Sequence, residues 1–125
     1  MNNRGFTIME LLVAVAIIGI LAATAVAAYS RYRLHAYEAG AMTYMRAWVP
    51  AQELYLQTYG HYADADETLA SSGFAVLKVP KIPYNFSIDS SSKATSSWNG
   101  QGAPTQSNLR HFYIDNTGVV STTPP

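Results

Sequence analysis

One acid interrupts an otherwise apolar run. Residues 6–28, which open Phe6-Thr7-Ile8-Met9-Glu10-Leu11-Leu12-Val13, hold no charged side chain besides Glu10. A carboxylate in hydrocarbon is costly and needs a partner. The chemistry open to these residues is a chain cleavage followed by charge pairing. If the chain is cut after Gly5, the new α-amine on Phe6 is a cation of the right sign. Glu10 lies roughly 6 Å along a helix from Phe6, so a neighbouring copy shifted along the helix axis can bring its amine to Glu10. Assembly then relieves the buried charge.

Nothing else in the chain has the spacing of a reactive site. His35, His61 and His111 are far apart, and none sits three or four positions from another in the way that builds a metal face. Asp64, Asp66 and Glu67 are dense in acid but lack the glycine and distal glutamate of an EF-hand, so they read as a solvated loop. No nucleophile stands beside a base at a recognisable spacing. No cofactor, no metal and no enzymatic activity is expected. Eight basic and eight acidic side chains give a formal charge of zero, which offers no footprint for nucleic acid. Arg31, Arg33 and Arg46 are too few for a nucleic-acid patch, and basic residues on an exposed helix pair with acids such as Glu38 or stay solvated. Cysteine is absent, which excludes disulfides and thiolate metal sites.

The elements that must position Glu10 follow from the pattern around it. The 125 residues allow one small domain plus an anchor. Residues 1–5 form a short polar leader. Residues 6–28 form a helix of roughly 35 Å, enough to cross a hydrocarbon core of about 30 Å. Small residues along it, Ala14, Ala16, Gly19, Ala22 and Ala23, permit close helix approach. The rival reading is an ordinary secretory signal, with Arg4 as its basic end and cleavage after Ala25-Val26-Ala27. Glu10 counts against it, because a charge within the apolar centre hinders insertion and an ordinary signal gains nothing from it. Charge counting pulls the other way on orientation: Arg31 and Arg33 follow the span and outnumber Arg4.

Residues 29–125 form the head. Helical propensity continues to about residue 58, and Gly60 ends it. Tyr37, Tyr44, Trp48, Tyr55, Tyr59 and Tyr62 recur near one face, so that face needs a cover. The stripe is a packing face before it is a path for electrons, since each ring has a large area to bury. Pro50 predicts a kink rather than a new helix, because Val49 is a poor N-cap. Residues 64–73 read as a loop with a helical turn. Residues 74–79 are short and apolar, and Pro80 and Pro83 interrupt the ladder. Tyr84, Phe86 and Ile88 alternate as a half-buried strand does, residues 109–115 repeat the pattern, and Asp115-Asn116-Thr117-Gly118 turns the chain into Val119 and Val120. Residues 90–108 are too polar to pack a core and read as a surface loop. Trp98 is its one large aromatic and the candidate contact residue, weighed against an indole folded back onto the sheet. The fold class is α+β: a long N-terminal helix, half membrane-spanning and half amphipathic, packed on a small antiparallel meander.

The leader ending in Gly5, the Phe6-Thr7 pair, the two hydrophobic residues and Glu10-Leu11 resemble the precursors of the type IV pilin and pseudopilin group. The resemblance is close over roughly residues 4–22 and loose beyond. It implies cleavage after Gly5 and N-methylation of Phe6 by a prepilin peptidase, with Glu10 as the assembly acid. It implies partners as well: copies of the chain, other pilins and an inner-membrane assembly platform. Pilin-like chains commonly carry a proline two turns after the equivalent of Gly19, and here that place holds Ala27. The function expected is a structural subunit of a pilus-like filament, made in the inner membrane and displayed at the cell surface. Two alternatives stay open: a pseudopilin acting as a piston across the periplasm beneath exported cargo, and a secreted protein whose mature end is Ala28.

Overall fold

The computed structural model describes residues 5–74, 78–89 and 96–124. The chain divides into two compact units, Met1–His35 and Ala36–Pro125. Residues 1–4 of the expected leader lie outside the described residues.

The first unit is helical. α1 (Ile8–Arg46) begins two residues later than the apolar run does, because Thr7 takes the N-cap: its carbonyl accepts the first helical bond, from the amide of Leu11 at 3.2 Å. From Gly5 to Arg33 every side chain is exposed except that of Ala14, which is half-buried. Along this part of α1 the hydroxyls are disposed of locally. Thr24 and Ser30 donate their hydroxyls to the carbonyls of Leu21 and Ala27, both at 2.9 Å. α1 is the one helix among the described residues long and apolar enough to cross a membrane.

The second unit holds the end of α1, then α2 (Trp48–Tyr59), α3 (Asp66–Ser71), β1 (Tyr84–Asp89), β2 (Asn99–Pro104), β3 (Phe112–Asp115) and β4 (Val120–Ser121). Between α1 and α2, Ala47 keeps right-handed helical dihedrals (φ −69°, ψ −16°) and no side chain caps α2. The junction is therefore an interruption of one helix, as Pro50 demands: it has no N–H for the carbonyl of Arg46. Gly60 ends α2 in the left-handed conformation at φ 77°, its amide bonded to the Leu56 carbonyl at 2.8 Å.

The four strands form one antiparallel sheet in the order β1-β2-β3-β4. The expectation of a surface loop over residues 90–108 is corrected here, because its second half is β2, an inner strand of the sheet. Residues 90–95 lie outside the described residues, as do 75–77 of the short apolar stretch, whose described ends are not strand. β2 is made of Asn, Gly, Gln, Gly, Ala and Pro, and its glycines explain why so poor a strand sequence is used. Gly100 pairs with Ile88 and Ile114, and Gly102 with Phe86 and Phe112. Two bare positions between bulky neighbours make a trough along the sheet. Met45 and Trp48 fill it: a Cβ on Gly100 would fall 2.5 Å from Cζ3 of Trp48, and one on Gly102 would fall 3.0 Å from Sδ of Met45.

Aromatic rings close this core. Tyr44 lies 5.6 Å from Trp48 and 4.7 Å from Phe86, while Trp48 meets Phe86 edge-on at 6.1 Å. Tyr44, Trp48, Tyr55 and Tyr62 are buried as the stripe requires, whereas Tyr59 remains 53 % exposed. Trp98 is only 1 % exposed. Its indole therefore faces inward rather than presenting a surface contact, since burial rewards so large a ring. Its Nε1 has no hydrogen-bond partner among the described residues.

Two polar contacts fix what the rings do not. Gln52, fully buried, donates through Nε2 to the Ala63 carbonyl at 3.1 Å and accepts through Oε1 from the Ala63 amide at 2.8 Å. It thereby holds the chain after α2 against that helix. Glu38 on α1, also buried, takes Arg110 in a two-pronged ion pair, Nη2 to Oε2 at 2.7 Å and Nε to Oε1 at 3.1 Å. The Arg110 carbonyl in turn accepts from the Tyr84 hydroxyl at 2.8 Å. Burial first, then the Glu38 charge, push the Tyr84 phenol up to about 12 against the opposing pull of Arg110.

Candidate functional site

Gly5 and Phe6 precede the helix in irregular, exposed backbone, with Phe6 77 % exposed. The Gly5–Phe6 bond thus lies outside helical structure.

Glu10 does not stand alone in this unit. Thr7 and Glu10 bracket the first turn of α1 reciprocally. The Thr7 amide donates to Oε2 of Glu10 at 2.9 Å, and the Glu10 amide donates back to Oγ1 of Thr7 at 3.2 Å. This is a capping box: each side chain satisfies an amide that the helix end would otherwise leave without a partner. The Thr7 hydroxyl also donates to Oε2, at 2.9 Å. Both Thr7 bonds therefore fall on one carboxylate oxygen, and Oε1 has no partner among the described residues. The sequence carries the signal for this cap as Thr7-x-x-Glu10 before an apolar run.

The small residues do not form a single stripe. At about 100° per residue, Ala16, Gly19 and Ala23 fall on one face of α1. Glu10 and Ala14, one turn apart, lie on the far side of the helix from them, and Ala22 falls between. A Cβ on Gly19 would meet nothing within 4 Å. The small residues thus lie on two faces of the helix, one carrying the acid and one lacking it.

Elsewhere, no group of three or more His, Cys, Asp or Glu side chains among the described residues is placed to hold a metal ion. His61 bonds through Nδ1 with the Tyr62 carbonyl at 2.9 Å. His111 bonds through Nε2 with Oε1 of Gln101 at 3.2 Å and stacks on Tyr113. Both are local structural contacts.

An apolar N-terminal helix with one capped acid in its first turn, followed in the chain by an α+β head with a four-stranded antiparallel sheet, defines a pilin-like class of protein. Comparison with known proteins agrees. Residues 1–26 match the family described as "Prokaryotic N-terminal methylation motif". The chain is 34 % identical over 86 residues to the "Type IV major pilin protein PilA" of Myxococcus xanthus (strain DK1622), an alignment covering 69 % of this chain and 38 % of that protein. The chain is therefore similar to a type IV pilin and carries the N-terminal methylation motif. It spans about two fifths of the length of this curated relative.

Proposed function

We propose that the chain is a structural subunit of a type IV pilus-like filament. The precursor is held in the inner membrane by residues 6–28, cut after Gly5 by a prepilin peptidase and methylated on the Phe6 amine. An inner-membrane assembly platform then draws it into a polymer with its own copies and other pilins. Residues 29–125 become the coat of the fibre.

The observation that carries this reading is the exposed Glu10 carboxylate in the first turn of α1, held there by Thr7 through Oε2. The Phe6 amine of an adjacent copy has the right charge for it, and the pairing sets the axial register between subunits. The relative's printed name, a major pilin, and the methylation motif support the same role. Burial of α1 among its copies replaces lipid contacts by protein contacts, with the Ala16-Gly19-Ala23 face allowing close approach.

Glu10→Ala tests it. Expression and cleavage after Gly5 should persist while incorporation into filaments is lost. Normal filaments from this variant would remove the acid from the assembly step. Shearing the cells separates the pilus reading from a secretion piston, because a surface filament appears in the sheared fraction whereas a piston stays in the envelope.

A further inference from the structure

The apolar run ends in a group of side chains of a different kind: Tyr29, Ser30, Arg31, Tyr32 and Arg33. The rings of Tyr29 and Tyr32 are 68 % and 74 % exposed, and Arg31 is exposed too. Neither ring takes part in the aromatic core of the head, so packing within the subunit does not account for them. On α1, Tyr29 and Tyr32 stand three positions apart and share a face, while Arg31 projects from the other side. Together they ring the helix.

We infer that Tyr29, Tyr32 and Arg31 form a collar that binds the phospholipid headgroup layer and sets how deeply the unassembled subunit sits in its membrane. The inference rests on the reading of residues 6–28 as a membrane span. The helical part of the span, residues 8–28, measures roughly 31 Å, close to the thickness of a hydrocarbon core. Tyr29 then falls at the hydrocarbon edge, and Tyr32 roughly 5 Å further out, inside the headgroup layer. Tyrosine suits that layer because its ring is apolar and its hydroxyl wet. Arg31 brings an aliphatic stem for the acyl boundary and a guanidinium whose fork matches lipid phosphate. On this account Arg31 is a headgroup anchor.

The chain has no cysteine, so single cysteines report depth without background. The full chain would be reconstituted into vesicles of phosphatidylcholine and phosphatidylglycerol, carrying Ala14→Cys, Ala27→Cys or Ser30→Cys, and exposed to a membrane-impermeant maleimide. Ser30→Cys should label several-fold faster than Ala27→Cys, with Ala14→Cys protected until detergent is added. Adding Tyr29→Ala and Tyr32→Ala together should collapse the ratio between the first two towards one, as the helix gains freedom to slide by about one turn, roughly 5 Å. Arg31→Ala should abolish the sharpening of that ratio by phosphatidylglycerol. An unchanged ratio after loss of both rings would overturn the collar. So would a loss of filaments in the ring variant with depth unaltered, which would move the rings to helix–helix packing. Labelling of Ala14→Cys in intact vesicles would instead overturn the membrane span itself.

Discussion

Gly100→Ala is the substitution that most directly probes how the head is held together. The added Cβ would lie 2.5 Å from Cζ3 and 2.9 Å from Cε3 of Trp48, and 3.2 Å from Cγ2 of Ile114. Comfortable carbon–carbon contact is about 3.5–4.0 Å, so helix and sheet must part by about 1 Å or the indole must turn. Trp48 is 4 % exposed and bounded by Tyr44 and Phe86, so it has little room to turn. Overpacking of this kind costs about 1–3 kcal/mol. The smaller conformational entropy of alanine in the unfolded chain offsets about 0.4–1 kcal/mol of it. A contact as short as 2.5 Å puts the cost at the upper end of that range, so the net loss is about 2 kcal/mol, a fall in Tm of about 8–16 °C for a domain of this size.

Thermal unfolding of a soluble fragment of residues 29–125, followed by far-UV circular dichroism, measures the loss. Gly102→Ala is the internal control. Its Cβ meets the flexible Met45 sulfur at 3.0 Å and Cε1 of Phe86 at 3.2 Å, both looser than the 2.5 Å approach to Trp48 at Gly100, so its cost should be smaller. The coupling is also checkable. In a Trp48→Phe background the ring carbons that collide are gone, and Gly100→Ala should cost little or nothing. A Gly100→Ala fragment that melts at or above the parent temperature would refute the trough. An equal cost in the two backgrounds would do the same.

Three further outcomes follow from the same geometry. Trp48→Ala should destabilise the fragment by about 3–5 kcal/mol in denaturant unfolding, as loss of a buried ring does; an unchanged curve would put the ring outside the core. Gln52→Leu should cost about 2–4 kcal/mol, because it leaves the buried amide and carbonyl of Ala63 without partners, and a neutral result would deny that tether. The fragment should lose stability as pH rises. The folded Tyr84 phenol is pushed up to about 12 from an ordinary value of 10.0, so its contribution is complete below pH 10 and disappears as pH passes to about 12. Tyr62 is shifted the same way by burial and by its hydrogen bond to Glu53. Tyr84→Phe should flatten the alkaline limb of a Tm–pH profile, and an identical limb would exclude Tyr84 as a cause.

What could be read from the sequence was whatever depends on neighbours in the chain. The apolar run and its single acid, the Gly60 stop, the interruption at Pro50, the alternation of Tyr84, Phe86 and Ile88 and the turn at Gly118 are all local signals, and the structure has each of them. β2 carries no strand signal for a physical reason: Gly100 and Gly102 serve by having no side chain, and strand propensity counts that as a defect. Only the presence of Trp48 and Met45 across the trough gives those glycines value. The Glu38–Arg110 pair joins positions 72 apart and leaves no periodic trace. Of the two readings open for Trp98, a surface contact and an indole folded back onto the sheet, the second holds, because the ring follows the core. At the functional end the position of Glu10 was legible. The share of its carboxylate taken by Thr7 was legible too, in the Thr7-x-x-Glu10 spacing, once the acid is considered as a helix cap as well as a charge.

The central claim is that the chain is processed after Gly5 and assembled into a filament. Mass spectrometry of the N-terminus, on protein from the native envelope and from the sheared cell surface, tests it most directly. The account predicts a chain beginning at N-methylated Phe6, present in the sheared fraction. A mature chain beginning at Ala28 would contradict it, leaving Glu10 in a discarded signal and the head a free secreted protein.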